Sequence, residues 1–457
     1  MTDKSSGDHH SRGLKSRHVQ LIAIGGTIGT GLFLGAGQSI HLAGPSILLA
    51  YLITGIACFL LMRSLGELLL SNVDAHSFID FIYEYLGEKV GFVAGWTYWI
   101  CWVTIAMTEI TAVGLYMKFW FPNLPQWIPG MVMLLILLGI NLVTVGLFGE
   151  TEFWFALIKI IAIVVLICIG IYMVVVNFKT SVGHASLTNL VNHGGFFPQG
   201  IKGFVLSFQM VLFSFVGIEM VGLTAAETEN PMKVIPEAIN EIPLRIILFY
   251  VGSLLAIMAI YPWNMISESQ SPFVQVFENI GIKSAASIIN VVVITAAASA
   301  CNGSLFSTGR MLFSLNYGKK NQFSKKISTL SHNQVPAFAL KFSTAVIAIS
   351  VILNMFMAES VFTFISSIAT TCFLFIWGTI VIAHLKYRRK IKLEKAEETL
   401  AFKMPLFPMT NYLILAFLIF VGIVLCLKPD TLIALIASIC WLVILYGIKS
   451  VQMKLAN

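Results

Sequence analysis

The chain has 457 residues, of which 57% are hydrophobic and only 11% charged, with a net charge of +7. So apolar a composition excludes a soluble globular domain and reads as an integral membrane protein. The basic excess follows the bias of membrane loops, so neither a nucleic-acid partner nor a cofactor is expected.

From the N-terminus, residues 1–18 form a polar tail without an apolar region and cleavage site, so no removable signal is expected and the first span inserts the protein. Twelve apolar runs follow, near 20–40, 45–70, 92–120, 127–148, 152–178, 201–224, 243–263, 284–313, 337–357, 360–385, 411–427 and 431–448. Each can cross a hydrocarbon core of about 30 Å as a helix. The short alternating segments of an outer-membrane barrel are absent, which makes the spans helical. The loops near 72–91, 179–200, 264–283, 314–336 and 386–410 are too short to bury cores of their own. One transmembrane domain, 19–449, therefore stands between the tails 1–18 and 450–457.

With the N-terminal tail inside, Lys118, Lys179, Lys202, Lys283 and Lys428 lie at or near the outer side, and Lys159 lies within a span. The remaining Lys and Arg residues are cytoplasmic or at the inner ends of helices, notably in "HLKYRRKIKLEK" and "KKNQFSKK", which read as solvated inner loops near anionic lipid. Both termini are thus expected in the cytoplasm. The seven cysteines, Cys58, Cys101, Cys168, Cys301, Cys372, Cys426 and Cys440, all fall in spans without CxxC spacing and read as small buried apolar residues. The nine histidines form no metal-ligand set.

Two spans are unusual. "IAIGGTIGTGLFLGAG" sets glycines through the first span, and "FSFVGIEMVGLTAAETENP" sets Gly217 and Glu219 inside the sixth. Breaks five spans apart suggest a five-plus-five inverted repeat, about 20–178 and 201–386, with two further spans at 411–448. An unwound segment is tolerable in a membrane only where it lines a protected cavity. Unwinding at Gly29, Thr30 and Gly31 would offer N–H groups to a carboxylate, and free carbonyls in both breaks would accept from an ammonium. Such a pocket suits an α-amino acid. The spacings of Gly25, Gly29, Gly31 and Gly35 also serve close helix packing. "GTGLFLG" and "GGTIGTGL" lack the context of nucleotide-binding loops.

Taken in order, "RHVQLIAIGGTIGTGLFLG", "AGPSILLAYLITGIACFLLMRSLGELL", "GWTYWICW", "FGETEFWFALIKIIAIV", "FSFVGIEMVGLTAAETENP", "IPEAINEIPLRI" and "FSTGRMLFSL" resemble bacterial amino acid permeases of the amino acid/polyamine/organocation superfamily over nearly the full length. The resemblance is strongest to the D-serine/D-alanine/glycine permease subgroup of the amino acid transporter family, with proline-specific permeases next. It implies a LeuT-like fold of twelve helices, discontinuous in the first and sixth, and proton-coupled uptake across the cell membrane. It further implies a substrate carboxylate at the backbone of Gly29, Thr30 and Gly31, and an amine at the carbonyls of Thr27, Phe213, Ser214 and Val216. Glu219 matches the acidic residue that in relatives links occupancy to gating. Lys159 matches the fifth-span lysine that in proton-coupled relatives stands where others bind sodium.

Each intramembrane charge also has a plainer reading. Glu219 can be a structural acid bonded across the break, and Lys159 can snorkel to the inner interface. Held out of water, Lys159 is also able to exchange a proton. Glu109, mid-way along span three, can meet the substrate amine or take part in proton transfer. Arg63 and Glu67 read as an interfacial ion-pair network. Trp96, Trp99 and Trp102 read as packing, and Asn302 and Ser304 as interhelical bonds or pocket contacts. A non-transporting amino acid sensor is the rival from another class, and the absence of a nucleophile, metal or paired-acid motif opposes an enzyme.

Overall fold

The computed structural model describes residues 28–456 except 74, 76, 144, 182, 221–229, 320, 333–334, 359, 397–399 and 401, with backbone alone at 145–149 and 456. The helices, in chain order, are α1 Thr30–Phe33, α2 Gly35–Ala43, α3 Ile47–Ser71, α4 Phe78–Leu86, α5 Glu88–Met117, α6 Trp127–Val143 and α7 Val145–Val175. A two-residue antiparallel ladder, β1 Lys179–Thr180 with β2 Gly183–His184, precedes α8 Gly200–Phe213. Then come α9 Pro231–Asn240, α10 Ile242–Arg245, a π-helical stretch Ile246–Gly252, α11 Ser253–Ile260, α12 Pro272–Asn279 and α13 Lys283–Asn316. The chain closes with α14 Gln322–Ile327, α15 Ala337–Ile347, α16 Ile349–Phe356, α17 Val361–Leu393, α18 Met409–Leu425 and α19 Pro429–Ala456.

Among the described residues, eight helical stretches are long and apolar enough to cross a membrane, and three shorter apolar helices, Trp127–Val143, Gly200–Phe213 and Met409–Leu425, accompany them. The centre is α5, whose most apolar window is 83% buried, while that of α19 is only 22% buried and faces outward. α5 packs against α13 and α17, and α13 in turn against α7. Small side chains make this possible: Ala296, Ala297, Ala298, Ser299, Cys301 and Gly303 on α13 are buried and let backbones approach closely. α2 packs along α8, which brings the two glycine-marked segments side by side.

Several expectations are corrected. The basic stretch "HLKYRRKIKLEK" is no simple solvated loop, because α17 continues through Leu393 and turns His384 and Arg388, one helical turn apart, into the protein. Glu67 pairs across helices with those two residues, while Arg63 donates to the Lys403 carbonyl and to Asn240 Oδ1 (3.3 Å). The 72–91 loop contains α4, started by a capping box in which Ser77 accepts from Ile79 N–H and Asp80 from Ser77 N–H. Cys58, Cys101, Cys301 and Cys372 are buried as expected, but Cys168, Cys426 and Cys440 are exposed on outward helix faces, where lipid can serve as the apolar surrounding.

Candidate functional site

The polar groups of the interior gather where α1 begins and α8 ends. Gly29 precedes α1 in extended backbone, and Leu34 (φ −118°) interrupts the helix before α2 resumes at Gly35. α8 stops at Phe213, and turns run from Ser214 to Glu219, with Gly217 at φ +89°, a conformation that favours glycine. The two segments touch. A Cβ on Gly31 would lie 2.6 Å from Ser214 Cα, closer than any side chain allows. Thr27 lies outside the described residues.

Ser214 is held by two tyrosines that the sequence reading did not single out. The Tyr51 and Ser214 hydroxyls are 3.0 Å apart, and Tyr250, carried on the π-helical stretch, donates to the Ser214 carbonyl at 3.0 Å. Phe215 stacks on Tyr250 with ring centroids 4.7 Å apart. The Phe213 carbonyl accepts from Val216 N–H at 3.2 Å. Each of these carbonyls has a second lone pair, so neither is exhausted as an acceptor.

Glu109, near the middle of α5, meets the start of α1. Its Oε1 accepts from Thr30 N–H at 3.3 Å and from the Thr30 hydroxyl at 3.0 Å. Its Oε2 is buried, with no hydrogen-bond partner among the described residues. A Cβ on Gly29 would stand 2.7 Å from the same Oε1, so glycine is what allows the carboxyl to lie against this backbone. A protein carboxyl therefore takes the Thr30 amide that the sequence reading reserves for a substrate carboxylate.

Lys159 on α7 is fully buried and does not reach an interface. Its ammonium donates to the Ile28 carbonyl at 3.1 Å, next to the start of α1, and to Ser299 Oγ on α13 at 2.9 Å. Ser299 in turn donates to Glu152 Oε1 at 2.6 Å. Glu152 was missed in the sequence, although a signal was present: it precedes Lys159 by seven residues, two turns along the same face of one helix. Beside it, Asn141 on α6 donates to Asn302 Oδ1 at 2.7 Å, which makes Asn302 an interhelical contact; Ser304 bonds within its own helix to the Ala300 carbonyl.

Glu219 sits apart from this group. Tyr98 on α5 donates to Oε1 and Trp377 on α17 to Oε2, each at 3.1 Å. Both side-chain partners among the described residues are donors, and they tie three segments together. Trp99 donates to Ser343 Oγ at 3.1 Å and rests edge-on against Trp96, in keeping with packing.

Helices and burial together define a multi-pass helical membrane protein built around an enclosed polar centre. The chain belongs to the amino acid permease family, whose profile matches residues 18–456. It is 60% identical to the uncharacterized transporter YdgF of Bacillus subtilis (strain 168) over 99% of both chains. It is 58% identical to the amino-acid permease AapA of the same organism, covering 97% of this chain and 95% of that one. The D-serine/D-alanine/glycine transporter of Escherichia coli (strain K12) is 46% identical over 95% of this chain and 92% of its own.

Proposed function

We propose that this permease imports a small neutral amino acid of the D-serine, D-alanine and glycine type together with protons. On this reading the chain crosses the membrane twelve times as a LeuT-like inverted repeat, about 20–178 and 201–386, with further spans at 411–448. The first and sixth spans are discontinuous, and the tails 1–18 and 450–457 lie in the cytoplasm. The 46% identity to a transporter named for those three substrates supports the substrate class.

The observation that carries the reading is the carboxyl of Glu109 on the Thr30 amide. This seat accepts a carboxylate, as an amino acid substrate requires, and its present occupant is a group that can take up a proton. Ionised, Glu109 holds the seat and repels a second carboxylate. Protonated, it needs the amide less and can donate to the incoming carboxylate. The substrate carboxylate then lies along Gly29, Thr30 and Gly31, and its amine along the carbonyls of Thr27, Phe213, Ser214 and Val216. Lys159 exchanges the coupled proton, and Glu219 holds the sixth-span break to its neighbours as occupancy and gating change. A backbone seat recognises only the common zwitterion, so selectivity falls to the walls.

The test is uptake by reconstituted protein of a labelled panel containing both enantiomers, with and without an inward proton gradient. Glycine, alanine and serine should compete, D-enantiomers included, while lysine and glutamate should not. Competition by proline alone, or accumulation indifferent to the gradient, overturns the reading.

A further inference from the structure

Resting on Lys159 as the coupling group, the geometry points to a role for two residues outside that reading: we propose that Glu152 is the internal proton acceptor for Lys159, with the Ser299 hydroxyl as the bridge. The direction of the bridge is fixed by chemistry. An ammonium can only donate and an ionised carboxylate can only accept, so a hydroxyl between them must receive from the first and point its own hydrogen at the second. The distances, 2.9 Å from Lys159 Nζ to Ser299 Oγ and 2.6 Å from Ser299 Oγ to Glu152 Oε1, are those of charge-assisted bonds. The ends are 0% and 2% exposed, so a proton leaving Lys159 for bulk water would need another opening, whereas the bridge is already formed.

In the transfer, an N–H bond of Lys159 breaks as its proton joins Ser299 Oγ, and the former Ser299 hydrogen joins Glu152 Oε1. An ammonium and a carboxylate become an amine and a carboxylic acid, the hydroxyl is restored, and the buried pair stays neutral in sum. Among the described residues, the charged groups facing Lys159 are Glu152 on its own helix and Glu109 on α5. α13 presents Ser299 and Asn302, the latter bonded to Asn141 of α6. Of the two carboxyls, Glu109 binds Thr30 through Oε1, while Glu152 is the one that takes the bridging hydroxyl through Oε1. Glu152 also lies about 10 Å nearer the start of α7, given a rise of about 1.5 Å per residue. On the twelve-span reading that is the cytoplasmic direction.

The consequence for transport is mechanical. While charged, Lys159 makes a charge-assisted bond to the Ile28 carbonyl at the edge of α1. As an amine it donates only about half as strongly. Loss of the proton to Glu152 therefore loosens the start of α1, where substrate binds on the proposed reading, and return of the proton fastens it again.

Gradient-driven accumulation and equilibrium exchange of labelled D-alanine, measured in the same liposomes, test this with Glu152→Gln, Ser299→Ala, Ser299→Thr and Lys159→Met. Glutamine keeps an acceptor for Ser299 but takes no proton. Glu152→Gln and Ser299→Ala should each lower accumulation by at least about a hundredfold, the low side of what a positioned proton-transfer group supplies, and leave exchange within about threefold. Ser299→Thr, which keeps the hydroxyl, should restore accumulation. Accumulation at the wild-type level in Glu152→Gln and Ser299→Ala, with Lys159→Met inactive, overturns the bridge and leaves Lys159 in place. Full accumulation by Lys159→Met overturns the coupling reading beneath it. Should Glu152→Gln lose exchange as well, Ser299→Ala decides: parallel loss of both activities there makes the contact structural and ends the proposal.

Discussion

Two buried carboxyls at opposite ends of the polarity scale show what separates a fastening from a moving part. Glu67 on α3 is enclosed by fixed partners. Its Oε2 accepts from Met404 N–H at 2.6 Å, Arg388 Nε stands 3.2 Å from Oε1, and His384 Nε2 stands 3.3 Å from Oε2, positioned by its contact with Asn411 at 2.9 Å. The guanidinium of Arg388 also lies over Phe407, 4.7 Å from the ring centre. These contacts pin the connection before α18 to α3 and α17. Glu109 has one oxygen on a helix start and the other without a hydrogen-bond partner among the described residues. The first arrangement holds a carboxyl in place from several sides, and the second holds one from a single side.

The largest effect on that contrast should come from Gly31→Val. Its side chain collides with the Ser214 backbone and drives the two breaks apart, at a cost of about 1–3 kcal/mol or more for overpacking. Substrate binding should be lost in protein that still elutes as a single species. Retained affinity in that variant removes the junction from the site.

Neutralising the fastened carboxyl should come next. Glu67→Gln leaves Arg388 without its counter-charge and should lower stability by about 3 kcal/mol, read as an earlier thermal transition in detergent. The pH response of the remaining transport should stay as in the wild type, because this cluster only holds the structure. A changed pH response with unchanged stability would exchange the roles of the two carboxyls.

At the movable one the expected change is in pH dependence. On the proposed reading, falling pH populates protonated Glu109 and so admits the substrate carboxylate, and wild-type binding should strengthen as pH falls. Glu109→Gln is permanently neutral and should bind with a flat profile over the same range. A profile that keeps the wild-type slope places the titrating group elsewhere. The smallest effect belongs to Tyr250→Phe, which deletes one bond to the Ser214 carbonyl and should cost about 1 kcal/mol, a less than tenfold rise in KM.

Much of this centre could be read from the chain. Gly29, Gly31 and Gly217 announce themselves as breaks in apolar runs, and Glu109, Lys159 and Glu219 as charges where charge is expensive. The partners could not be read in the same way. Ser299 is one small residue among the alanines of α13, and nothing in its neighbours says that it bridges Lys159 to Glu152. Glu152 looks like the flank of a span until the helix places it two turns from Lys159. Tyr51 and Tyr250 resemble any aromatic residues of a membrane helix until a π-helical stretch and a helix end bring them to Ser214. His384 and Arg388 were hidden inside a basic run, because hydropathy averages over a helix whose inner face is decided by what packs on it.

Simultaneous movement of protons and substrate is the most direct measure of the central claim. Liposomes holding the reconstituted protein and a fluorescent pH indicator, given external D-alanine at equal pH on both sides, should acidify inside at a rate that follows uptake of the labelled substrate. Lys159→Met under the same conditions should show no acidification. Wild-type uptake at full rate without any acidification would contradict proton coupling.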